Sequence, residues 1–112
     1  MDIVSEVIDE GVALRVSGRL DGATAPRLEK PLMALFAENG EQVLLDLAGL
    51  DYVSSAGLRV FLMAAKRARQ VDGKLVLCGL QPMVGEVFEM SGFGRILDIA
   101  ATEADGRARL RD

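Results

Sequence analysis

The sequence predicts an α/β fold in which a mixed, mostly parallel β-sheet packs against α-helices. Three observations carry that expectation. Short apolar runs of strand type alternate with amphipathic helical patterns through short loops, the mark of parallel crossover units. Two of the runs, Val43–Leu47 and Leu75–Leu77, are nearly continuous in apolar residues, as strands covered on both faces are. The first two runs flank Asp9-Glu10-Gly11, a tight turn that suggests a hairpin. The 112 residues fit one domain, 1–112, with no linker, repeat or low-complexity stretch, since domains usually take roughly 100–200 residues. A chain of this size buries roughly two thirds of its unfolded surface, enough for a real core.

The elements follow in order. Ile3–Ile8 is a strand. In Val12–Val16, Val12, Leu14 and Val16 alternate with Ala13, Arg15 and Ser17, a half-buried strand pattern. Thr24 then stands as an N-cap, with Pro26 in the first helical turn, where its missing N–H costs nothing. Leu28, Leu32, Leu35 and Phe36 fall at helical spacing, and Asn39-Gly40 supplies a C-cap. Pro31 lies inside that pattern, so the helix is kinked there or its first turn is separate. After strand Val43–Leu47, the segment AGLDYVSS reads as a loop with Asp51 as a turn residue. A second helix follows, with Leu58, Phe61, Leu62 and Ala65 as its apolar stripe. Arg59, Lys66, Arg67 and Arg69 mark its wetter face or last turns, and Gly73 stops it. Beyond strand Leu75–Leu77, Pro82 opens a short helix with Val84, Val87, Phe88 and Met90, ending at Ser91-Gly92. Ile96–Ile99 reads as the last strand. Thr102-Glu103-Ala104 starts a weak terminal helix that Gly106 interrupts.

Composition excludes several classes. The chain has no histidine, which removes Ser-His-Asp and Cys-His chemistry, imidazole metal sites and a histidine pH switch. Cys78 is the one cysteine, so neither a disulfide framework nor a CxxC pair is available. It lies in a buried-strand pattern and reads as a small hydrophobe. Lys+Arg 13 against Asp+Glu 17 gives a net charge of −4, and the pI is near 4.8. That balance argues against a nucleic-acid partner and makes Lys66, Arg67 and Arg69 a solvated helix end. The N-terminal MDIVSEVIDE is acidic where a signal peptide is positive. No apolar run has the length to insert in a membrane, so a cytoplasmic location is expected. Met33, Met63, Met83 and Met90 read as core fillers rather than a pliable surface.

The most informative stretch is Leu50-Asp51-Tyr52-Val53-Ser54-Ser55-Ala56-Gly57-Leu58. It follows a central strand, and function in parallel sheets gathers at the carboxyl ends of strands. Two serines directly precede a helix. A serine there caps the helix for about 1 kcal/mol. A hydroxyl there is also suited to phosphorylation, because free N–H groups and the helix dipole receive an anion at that end. The phosphate adds about −1.5 to −2 charge at one point. Gly57 costs about 1 kcal/mol within a helix and so suggests close approach by another backbone or a partner. Asp46 either joins a polar cluster with Asp21 or satisfies loop amides.

The stretch VLLDLAGLDYVSSAGLRVFLMAAKRARQVDGKLVLCGLQPMVGEVFEMSGF, with SGRLDGATAPRLE before it, resembles STAS domains of the stand-alone anti-sigma factor antagonist type. The resemblance covers nearly the whole chain and implies partner switching rather than catalysis. In that family the unphosphorylated antagonist binds an anti-sigma factor that is also a serine protein kinase, which frees the sigma factor. The kinase then uses ATP to phosphorylate a serine two residues before the glycine, and the antagonist lets go. A serine phosphatase restores it. By position, Ser55 is the implied acceptor. Ser54 stands where relatives often carry an acidic residue, and it either competes as acceptor or caps the loop. Ala56 has no hydroxyl. The implied partner surface comprises Asp21, Ser54, Ser55, Gly57 and Leu58, with the Ser54–Leu62 loop and helix against the kinase. Asp21 is either a partner contact or a helix-start cap. No cofactor, metal, nucleic acid or direct membrane insertion is expected. A structural or adaptor STAS subunit of a signalling or membrane-transport complex is the alternative. A nucleotide hydrolase is disfavoured, because no GxxxxGK[ST] loop is present.

Overall fold

The computed structural model describes residues 1–37 and 40–112. Among them five strands form one sheet in sequence order: β1 (Asp2–Ile8), β2 (Gly11–Leu20), β3 (Gln42–Val53), β4 (Lys74–Cys78) and β5 (Ile99–Ala100). β1 pairs antiparallel with β2, and every later pairing is parallel. The helices are α1 (Ala25–Leu35), α2 (Ser55–Gln70), α3 (Pro82–Ser91) and α4 (Glu103–Arg111). The expected mixed, mostly parallel sheet is present.

Side-chain alternation sorts the helices onto two faces. Leu14, Val16, Leu45, Leu47 and Leu77 point into one core with Leu28 and Leu32 of α1, Phe61 and Ala64 of α2, and Val84 and Phe88 of α3. The Phe61 and Phe88 rings meet with centroids 5.7 Å apart, tilted by 35°. Ala13, Leu44, Val76 and Cys78 point the other way and meet Leu110 of α4. Burial there pushes the Cys78 thiol up to about 11.

Several elements depart from the sequence expectation. Ala48–Val53, expected as loop, continues β3. Two register shifts against β2, near Arg15/Ser17 and Gly18/Arg19, absorb extra residues in β3 and let both strands run on together. Asp51 lies in that strand, at the second irregularity, and not in a turn. The last strand is Ile99–Ala100 rather than Ile96–Ile99. The Ile96 and Leu97 N–H groups both donate to Phe93 O at 3.0 Å, which commits them to a helical turn. Gly106 does not interrupt α4. It is buried, and a Cβ there would lie 2.6 Å from Leu44 Cδ1, so glycine lets the helix sit against the sheet.

Helix ends differ as well. Thr24 occupies the N-cap position of α1, but only its carbonyl bonds a helix amide, that of Arg27; its hydroxyl donates to Arg19 O at 2.9 Å instead. α1 continues through Pro31, so its first turn is not separate. Asn39 of the expected Asn39-Gly40 cap lies outside the described residues, and α1 closes earlier, at Phe36. Arg67, expected in solvent, reaches across from α2 and donates to Phe36 O at 3.0 Å and Ala37 O at 2.8 Å. It caps α1. Core filling fails for Met63 of α2, which is 38% exposed, and for Met83 and Met90 of α3, at 73% and 88%. The short α3 buries only Val84 and Phe88, and both its methionines lie off that stripe.

An ion cluster pins α4 to the sheet. Arg15 of β2 donates to Asp46 of β3 at 2.9 Å and to Glu103 of α4 at 2.6 Å. Arg107 pairs with Glu103 at 3.1 Å, and Arg111 with Glu10 of the β1–β2 turn. The Arg15 hydrogen bond holds Glu103 below the usual glutamate range, and the Arg111 bond does the same for Glu10.

Two outcomes follow from this docking. Gly106→Val should cost about 1–3 kcal/mol by overpacking against Leu44, whereas Ala104→Val on the exposed side should stay within about 0.7 kcal/mol; urea denaturation reads both. Because the Glu10 and Glu103 values are depressed in the fold, their contribution is present above the ordinary glutamate value of 4.5 and lost as pH falls through the folded values. Urea midpoints should therefore drop on acidification below that value, and less steeply in Glu103→Gln.

Candidate functional site

The sheet ends its two longest strands together. Leu20 closes β2 opposite Val53, the last residue of β3. The next N–H, that of Ser54, donates to Leu20 O at 2.9 Å. Ser54 is extended (φ −97°, ψ 176°) and turns the chain from strand into α2. Its Oγ accepts from the Gly57 N–H at 3.5 Å and its carbonyl from the Leu58 N–H at 3.0 Å. So Ser54 caps the helix with both groups.

Ser55, one residue on, is the first residue of α2 and is exposed. Its hydroxyl has no hydrogen-bond partner among the described residues. The first turn of α2 holds no acidic side chain of its own to meet the positive end of the helix dipole. Below this turn the packing is tight. Gly57 is buried, and a Cβ there would fall 2.7 Å and 2.8 Å from Leu20 side-chain carbons and 2.8 Å from Val53 Cγ2. The close approach inferred from the glycine is to the chain's own core. Leu58 is buried too, which leaves the surface here to Ser54, Ser55, Ala56 and Arg59.

Asp21 follows β2 directly, beside this junction. Its Oδ1 accepts from the N–H groups of Ala23 at 3.0 Å and Thr24 at 3.1 Å, and lies 3.2 Å from the Thr24 hydroxyl oxygen. The Thr24 N–H is the main reason its carboxyl sits below the usual aspartate range. Oδ2 has no partner among the described residues. Asp46 stays out of this junction: its Oδ1 accepts from the Ala48 N–H at 3.0 Å and its Oδ2 from Arg15. The loop-amide reading of Asp46 therefore holds, whereas a shared polar cluster with Asp21 does not form, because Arg15 draws the other oxygen into the ion cluster under α4.

Sequence reasoning missed three features. An open groove of about 440 Å³ runs between α1 and α2, with Gly22, Pro26 and Glu29 on one wall and Ala56, Arg59 and Met63 on the other. Arg59 stands four residues after Ser55, so helical spacing was the signal that marks it as a neighbour. Arg19 lies over the Tyr52 ring, 4.2 Å from its centroid, where β2 and β3 approach their ends. That pairing had no sequence signal, because it depends on the strand bulge.

Comparison with known proteins decides the family. The family described as STAS domain matches residues 2–106. The chain belongs to the STAS domain family. It is 47% identical over 100 residues to BtrV of Bordetella bronchiseptica, named as a candidate anti-sigma factor antagonist, covering 89% of this chain and 86% of that one. It is 31% identical over 102 residues to the anti-sigma-B factor antagonist of Listeria monocytogenes, covering 91% and 90%. The Bacillus cell fate determinant SpoIIAA, solved in its phosphorylated form, shares the STAS fold with a TM-score of 0.72 at 23% identity, covering 98% of this chain and all of that one. Among the described residues no helix is long and apolar enough to cross a membrane.

The packing under this STAS junction yields a direct test. Gly57→Ala gains helix propensity of about 1 kcal/mol but places a methyl among three core carbons. A net loss of about 1–2 kcal/mol in urea denaturation is expected.

Proposed function

We propose that this STAS protein is an anti-sigma factor antagonist whose hold on an anti-sigma factor is switched by phosphorylation of Ser55. One observation carries the choice of serine: the Ser55 hydroxyl is exposed and without a partner among the described residues at the first residue of α2, while Ser54 is engaged as the cap. The names of the relatives support the class of partner, and a phosphorylated form of SpoIIAA supports the chemistry.

The mechanism is electrostatic and local. Unphosphorylated, the junction offers a neutral hydroxyl beside the α1–α2 groove, with Asp21 next to it. The anti-sigma factor, acting also as a serine kinase, docks there. Ser55 Oγ attacks the γ-phosphorus of ATP, its proton passes to the kinase, and ADP leaves. The new phosphate carries about −1.5 to −2 charge. The N-terminus of α2 tolerates an anion, so the antagonist stays folded. The partner surface, fitted to a hydroxyl, meets charge and bulk and releases. A serine phosphatase hydrolyses the O–P bond with water and returns the hydroxyl. Asp21, its Oδ1 held by the turn and its Oδ2 open, is the second contact proposed for the partner. Gly57 and Leu58 act from beneath by fixing the angle at which α2 leaves the sheet.

Binding to the purified anti-sigma kinase tests this. Ser55→Ala should bind whether or not ATP is present, and Ser55→Asp should lose binding by tenfold or more, about 1.4 kcal/mol or above. Ser54→Ala should still take phosphate at Ser55, shown by mass spectrometry, while losing about 0.5–1 kcal/mol of stability with its cap. Wild-type binding by Ser55→Asp would rule the switch out.

A further inference from the structure

We propose that β1 is a self-pairing edge through which two copies of this chain form a two-fold dimer. The inference is independent of the phosphoserine reading. β1 is the outermost strand, seven residues long, and pairs with β2 on one side only. Its other edge is open. It has no proline, no lysine and no bulge in its pairing with β2, and its two charges, Asp2 and Glu6, are the protections it does carry. Val7 is 85% exposed and Val4 58%, so this one strand presents two of the chain's most exposed large apolar side chains.

The occupant follows from the sequence of the strand. Antiparallel self-pairing of DIVSEVI about Ser5 places Ser5 opposite Ser5, Val4 opposite Glu6, Ile3 opposite Val7 and Asp2 opposite Ile8. No acidic residue directly faces another. Ile3 and Val7 lie on the same face of β1, so the two-fold creates two apolar Ile3–Val7 pairs on one side of the extended sheet. The Glu6 carboxylate, the nearest source of repulsion, already sits 3.4 Å from Arg15 of its own chain. On the helix side an open groove of about 870 Å³, lined by Ile3, Ser5, Leu14, Pro31 and Leu35, adjoins the strand. Val7 of the second copy enters beside Ile3 at its border. Because the two-fold reverses the strand direction of the second copy, it sends the two Ser55 junctions to opposite ends of the ten-stranded sheet. Both remain open.

Cysteine cross-linking of the full chain, with sedimentation equilibrium, tests the proposal. Residues opposite across the two-fold have Cα atoms about 4.5–5.5 Å apart, within the disulfide range of about 4.4–6.8 Å. Oxidised Ser5→Cys should therefore run as a covalent dimer. Val7→Cys should not, because its copies are separated by more than about 13 Å. Cys78 is buried and takes no part. Val7→Lys should keep the circular dichroism of the wild type and weaken the dimer about tenfold or more. A chain that sediments as monomer with no Ser5→Cys cross-link overturns the proposal. So does a Val7→Cys cross-link as efficient as that of Ser5→Cys, or a dimer indifferent to Val7→Lys.

Discussion

The parallel pairing of β2 with β3 is the constraint on which the rest of the structure depends. It carries eight residue pairs and two register shifts, and it ends with Leu20 beside Val53. Everything at the candidate site is referred to that terminus. The Ser54 N–H is fixed by Leu20 O at 2.9 Å, the Asp21 turn begins one residue later, and Gly57 rests on both Leu20 and Val53. Two loops distant in sequence are thus held together by backbone geometry rather than by contacts between their side chains. Without the bulges, β3 would fall out of register with β2 before Val53. The irregular strand is what carries α2 to its starting point.

The opposite face is held by a different balance. Its apolar contact is small, built from Ala13, Leu44, Val76, Cys78 and Leu110 with neighbours at the sheet ends. Charge supplements it. Single exposed ion pairs contribute little, about 0–1 kcal/mol at the median. Here one guanidinium, Arg15, serves β1, β2, β3 and α4 at once, because Glu6, Asp46 and Glu103 all converge on it. The Glu10 side chain is only 3% exposed and meets both Arg107 and Arg111. Such an arrangement fixes where α4 lies more than how tightly it binds. Gly106 then sets the depth.

Much of this was legible in the sequence for reasons that can be named. Leu14/Val16, Leu45/Leu47 and Leu75/Leu77 show the two-residue period that pleated strands require, and all six are buried together. Ser54-Ser55 before an apolar helical stripe marked the start of α2 to within a residue. What failed did so because a partner distant in sequence overrode a local signal. Ala48–Val53 contains glycine and aspartate and reads as loop, yet Ser17, Gly18, Arg19 and Leu20 of β2 pair with it. Gly106 looks like a helix breaker until Leu44 is placed under it. Thr24 looks like a side-chain cap until the end of β2 draws its hydroxyl to Arg19 O. Arg67 reads as solvated because nothing in its own helix reveals the end of α1. The exposed methionines of α3 are the converse: that helix is so short that its apolar content exceeds the surface it can bury.

The same geometry bears on how one hydroxyl would serve as a switch. A modification that disturbed the fold would report on stability, and any partner would sense it only indirectly. Under the proposed mechanism Ser55 avoids this because the layer beneath it has no room to respond. Gly57 is already packed to the limit against Leu20 and Val53, and the Ser54 N–H is tied to the sheet. A phosphate on Ser55 therefore changes the surface while the core stays where it was. Its charge meets a helix terminus that welcomes an anion, so the folded antagonist is not penalised for carrying it. The whole cost then falls on the complex, where a surface shaped for a neutral group must desolvate a charged one. A partner switch needs that separation of stability from affinity, and it rests on a glycine, a capping serine and the end of a parallel strand pair.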